Sequence, residues 1–72
     1  MMDSSTLRQL WTVVEETQTS VLLGLNDRDL LKQLLRQLES KKVMSSEENS
    51  TISAYISSRT KLIRDLAQAR LV

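Results

Sequence analysis

Apolar residues recur along this chain at three- and four-residue intervals in three runs, and each run is framed by residues that start or stop helices. The first run, Leu7, Leu10, Trp11, Val14, Val21, Leu22 and Leu25, falls on one helical face with a period of about 3.6 and predicts a helix over 5–23. Ser4 and Ser5 precede it as candidate caps. Gly24, the only glycine, follows as a candidate left-handed stop, with Leu25 placed to fold back on the last turn. Thr17 and Gln18 interrupt the stripe once. The second run, Leu30, Leu31, Leu34, Leu35 and Leu38, predicts a helix over 27–41, opened by Asn26 with Asp29 and closed by Lys41 and Lys42, whose charge suits a helix C-terminus. The third run, Ile52, Tyr55, Ile56, Leu62, Ile63, Leu66 and Ala67, predicts a helix over 47–71. Ser45 and Glu48 have the spacing of a capping box at its start, and Glu47, Glu48 and Arg70 suit its dipole. Ser57 and Ser58, two adjoining weak helix formers, mark the place where this helix is easiest to break.

Short connections, about two and five residues, predict antiparallel neighbours and hence an all-α, up-down-up three-helix bundle in a single domain, 1–72. The core is expected from the three stripes, Leu25 and Ala67 aside. At 1.5 Å per residue the third helix is about 36 Å long and the second about 21 Å. Part of the long stripe is then left uncovered, which predicts a homodimer with the third helix at its interface.

Composition narrows the class. The chain has 72 residues, no cysteine, no histidine and no proline, so neither a disulfide nor a zinc cluster reinforces so thin a core. Helix packing and association remain. Net charge is +1, with −2 over residues 1–40 and +3 over 41–72, which lacks the basic excess of a dedicated nucleic-acid binder. No run approaches the ~20 apolar residues of a membrane span. The opening Met1-Met2-Asp3-Ser4-Ser5 has neither the basic start nor the apolar run of a signal peptide, and with the absence of cysteine this predicts a cytoplasmic protein. On that expectation the glycosylation pattern Asn49-Ser50-Thr51 is accidental.

Candidate chemistry is sparse. Without histidine or cysteine the commonest acid–base residue and the strongest nucleophile are missing, and the pairs Glu15-Glu16 and Glu47-Glu48 diverge by about 100° on a helix. No catalytic residue, metal site or cofactor is expected. Leu31-Lys32-Gln33-Leu34-Leu35 matches the LxxLL docking string, but its leucines are needed for the core. Trp11 and Tyr55, the only aromatics, serve as core or as anchors for a partner. Arg59 stands on the apolar stripe beside Ile56, Leu62 and Ile63, either with its stem packed and its guanidinium in water or in a polar layer level with Thr17 and Gln18. The expected function is thus a small, non-enzymatic protein–protein interaction module, with Trp11, Tyr55, Arg59, Leu62, Ile63 and Leu66 as candidate interface. The alternative is a helix-turn-helix-like DNA-binding regulator reading through Lys32, Arg36, Lys61 and Arg64, against which Glu47 and Glu48 would open the reading helix.

Overall fold

The computed structural model describes residues 4–71 and contains four α-helices in chain order: α1 Ser4–Glu16, α2 Thr19–Gly24, α3 Asp27–Lys41 and α4 Ser46–Ala69. Every regular element among the described residues is helical, as the apolar spacing requires. Residues 1–3 and Val72, the ends of the expected domain and part of the leader reading, lie outside the described residues.

Two of the predicted helix starts are built as the sequence implies. The Asn26 side chain accepts a bond from Asp29 N at 2.9 Å, and Ser45 Oγ accepts one from Glu48 N at 3.1 Å while the Glu48 carboxylate accepts from Ser45 N. Each satisfies a backbone donor that has no partner inside its helix. Ser4 and Ser5 instead lie within the first turn of α1. α4 runs unbroken through Ser57 and Ser58, with Ser58 Oγ turned back onto Tyr55 O at 2.7 Å. It stops at Ala69, two residues before the expected end.

The expected helix 5–23 is in fact two helices. Thr17 N is shared between Val13 O and Val14 O at 3.1 and 3.2 Å, and Thr17 Oγ1 donates to Val13 O at 2.7 Å, which closes the last turn of α1. Gln18 is extended (φ −61°, ψ 142°), and its carbonyl accepts from Val21 N and Leu22 N to begin α2. The chain therefore bends here with α1 closed and α2 opened by backbone bonds, although Gln18 supplies no side-chain cap to α2. Gly24 does not act as the left-handed stop. It is the last helical residue of α2 with negative φ, and the turn is made by Leu25 and Asn26 in ordinary extended conformations.

Around the bend, α1 packs on α3, and α2 and α3 both pack on α4. Asp27 at the start of α3 meets Arg64 near the end of α4, and Glu39 near the end of α3 meets Asn49 near the start of α4, so these two helices run in opposite senses. α1 behaves differently. Lys42 donates to Thr6 Oγ1 at one end of α1, whereas Lys41 pairs with Glu16 at 3.0 Å and Gln37 bonds Thr17 at the other. Both ends of α1 thus meet the last turns of α3, and α1 crosses that end instead of running its length.

The core is Leu10, Val13 and Val14 from α1, Leu22 from α2, Leu30, Leu34 and Leu38 from α3, and Ile52, Ile56, Ile63 and Ala67 from α4, none more than 1% exposed. Val13 and Ala67 are additions to the expected core. Thr6, Leu10, Val13 and Val14 form the buried face of α1, continued by Thr17 just beyond it, instead of a stripe through Leu7 and Trp11, both half-buried. Leu31, Leu35, Tyr55 and Val21 are also half-buried. The larger departures are Leu62 and Leu66, expected in the core and found 44% and 46% exposed.

Candidate interaction face

Leu62 and Leu66 are open because α4 carries two apolar stripes, not one. At 100° per residue, Ile52, Ile56, Ile63 and Ala67 point roughly one way, and Tyr55, Leu62 and Leu66 point about 90° away. α2 and α3 cover the first stripe. α1, drawn across α3, reaches α4 through Trp11 and Arg70, which leaves the second stripe uncovered below Tyr55. Ser58, Asp65 and Ala69 flank it, all exposed, so the open surface occupies a sector of about 120°.

One edge of this surface is held in place. The Trp11 and Tyr55 rings meet edge to face, centroids 6.4 Å apart and planes at 83°, the arrangement favoured by ring quadrupoles. Arg59 lays its guanidinium carbon 5.0 Å from the centre of the Tyr55 ring. Its Nη1 also donates to Ser58 Oγ at 3.2 Å. Arg59 therefore sits on the outside of the bundle with its head stacked on an aromatic face. It is not in a buried layer, and it is not level with Thr17, whose carbonyl accepts from Arg70, eleven residues further along α4.

Of the expected interface residues, the structure brings Trp11, Tyr55, Arg59, Leu62 and Leu66 to this one surface. Ile63 is fully buried and belongs to the core. Among the residues of the DNA-binding alternative, Lys32, Arg36 and Lys61 are exposed. Arg64 is committed inside the molecule: its two terminal nitrogens donate to Leu22 O at 3.0 Å and to Asp27 Oδ1 at 2.7 Å, tying the end of α2 and the start of α3 to α4. Arg70 does the same for α1, donating to Val14 O at 3.0 Å and Thr17 O at 2.8 Å. These carbonyls lie at helix ends, where intrahelical donors run out, Val14 O having only a share of Thr17 N, and where positive charge is favoured. In the sequence Arg64 is one of several surface cations, and nothing in its spacing distinguishes a fork aimed at a distant helix end.

The remaining surface offers little chemistry. An open depression of about 560 Å³ lies over the α3–α4 connection, lined by Glu39, Lys42, Val43, Met44, Ser45, Ser46 and Asn49, and Glu48 beside it pairs with Lys42 at 3.4 Å. A second, of about 290 Å³, is lined by Lys32, Leu35, Arg36 and Glu39. No group of three or more Asp or Glu gathers among the described residues to hold a metal ion. No helix among them is long and apolar enough to cross a membrane. Compared with family models, curated proteins and solved structures, the chain matches none of them.

Proposed function

We propose that this protein is a non-enzymatic helical interaction module that presents the open face of α4 to another protein. The observation that carries this is the pair Leu62 and Leu66, nearly half exposed on an unbroken helix beside an ordered Trp11–Tyr55–Arg59 cluster. Leucines and aromatics on a rigid helix, rimmed by small and charged residues, have the make-up of a helix-docking surface. The face needs no rearrangement to be used. Arg64, with its guanidinium committed to the α2–α3 junction, takes one cation away from the DNA-binding alternative.

The test is site-specific photo-crosslinking in the source cells, with p-benzoylphenylalanine in place of Leu62, Leu66 or, as a control, Lys32. Discrete protein adducts at positions 62 and 66, lost when the other leucine is changed to Asp, are expected. Equal capture at Lys32, or none at either leucine, would remove the proposal.

A further inference from the structure

We infer that Thr17 and Gln18 form a hinge through which two copies of this chain exchange α1, residues 4–24 of each becoming one continuous helix. The exchange is independent of the α4 leucines proposed above as a docking surface. Among the helix starts after α1, the one at the bend is the least secured. α3 and α4 open on side-chain caps from Asn26 and Ser45, whereas Gln18 gives α2 none. α2 has only six residues, too few to be stable as a helix by itself. At Gln18 the φ of −61° is already helical, and only ψ, 142°, departs from the helical value of about −42°. Straightening gives the N–H groups of Gln18, Thr19 and Ser20 the carbonyls of Val14, Glu15 and Glu16, one turn back. No proline or glycine stands between Ser4 and Leu23 to oppose it.

On the straight helix Leu22 points about 120° away from Leu10, so its two halves turn their buried residues to different sides. In one chain the bend brings both sides onto one bundle. In two chains α2 stays on its own α4 while α1 lies on the α3 of the other copy. That copy offers α1 the site it already fits. Leu10, Val13 and Val14 enter the same core, Glu16 pairs with Lys41 and Trp11 meets Tyr55, now between chains instead of within one. Exchanging identical elements is for this reason a low-cost route to a dimer. What opposes it in the single chain is Arg70, which donates to the Val14 and Thr17 carbonyls that the straight helix would use.

Sedimentation equilibrium and zero-length carbodiimide crosslinking of the full chain test the exchange. Heavy-nitrogen-labelled and unlabelled protein are refolded together at high micromolar concentration, and the dimer is crosslinked at the Glu16–Lys41 pair, whose charges lie 3.0 Å apart. Mass spectrometry should find mixed labels in the joined Glu16 and Lys41 peptides, because each pair then spans two chains. Thr19→Pro should weaken dimerisation at least about 100-fold. Position 19 is the first residue of α2, where proline fits well after the extended Gln18, but it lies inside the continuous helix. Gln18→Ser, which supplies the missing cap in the bend, should weaken dimerisation about 10-fold. Circular dichroism melts at low concentration check that both variants fold, and the isotope experiment needs no variant at all. A wild type that stays monomeric after refolding, a dimer whose Glu16–Lys41 crosslinks carry one label only, or a folded Thr19→Pro chain that dimerises like the wild type would each overturn the exchange. A dimer that Thr19→Pro leaves intact and Leu62→Asp dissolves would overturn it while leaving the α4 docking surface standing.

Discussion

At the scale of single residues, Gly24 shows how a local signal is reassigned by its neighbours. A lone glycine after a helical run is ordinarily read as a left-handed terminator, yet here the following Leu25 and Asn26 make the turn in extended conformations and Gly24 keeps negative φ. A Cβ added there meets nothing within 4 Å. Gly24→Ala should therefore stabilise the fold by about 0.4–1 kcal/mol, because alanine has fewer unfolded conformations to lose and a better helix propensity. Urea denaturation measures it. A loss of stability would mean that residue 24 needs the left-handed conformation after all. The arginines teach the complementary lesson. Arg59, on the apolar stripe, is the most unusual in the sequence and lies on the surface, whereas Arg64 and Arg70 look ordinary there and hold three helix ends together.

At the scale of elements, the break at Thr17–Gln18 decides where the first two helices go. Neither proline nor glycine stands there, and the local sequence continues with helix-compatible residues on both sides. Beside the local Thr17 Oγ1–Val13 O bond, the end of α1 is held from elsewhere in the chain: Arg70 donates to the Val14 and Thr17 carbonyls, and Gln37 Nε2 donates to the Thr17 hydroxyl at 3.1 Å. A peptide spanning residues 4–25, freed of those contacts in a helix-promoting solvent, should form one helix through position 17. Carbon chemical shifts at Thr17 and Gln18 report this. Helical shifts are expected, and extended values at Gln18 in the peptide would place the cause of the break in the local sequence. By contrast, the starts of α3 and α4 depend on residues three positions apart and were legible without the fold, since Asn26 and Ser45 need only their own first turns.

For the whole molecule, the division of α4 into a covered and an open stripe separates stability from association. Ile63 is fully buried, so Ile63→Ala should cost about 2–5 kcal/mol, enough in a domain of this size to endanger folding. Leu62, one residue away and 44% exposed, should lose under about 1 kcal/mol on change to Ala when measured at protein concentrations low enough to keep the chain monomeric. Equilibrium denaturation of the two variants compares them directly, and equal losses would mean that Leu62 is packed inside the bundle. The molecule measures 36 × 20 × 19 Å, its long dimension that of a helix of 24 residues. From the sequence, a mismatch in helix lengths is the reason to expect an uncovered part of the third stripe. The structure supplies a different reason, because the open leucines lie on another side of α4 from the stripe that α2 and α3 cover.

By itself the sequence determined the all-helical class, the starts of α3 and α4, the apolar identity of nearly every core residue and the lack of the commonest catalytic and metal-binding side chains. Those follow from spacing, capping and composition, which act within a few residues of the chain. Sidedness was not available from it. Tyr55, Ile56, Leu62, Ile63, Leu66 and Ala67 read as one broad band, and a band wider than one neighbour can cover does not say which half will be covered. Only the tertiary structure decided that, through a bend that sends α1 across α3, with Arg64 and Arg70 holding the helix ends against α4. Hydrogen bonds between residues dozens of positions apart leave no periodic trace in a sequence, and here they select which leucines face solvent.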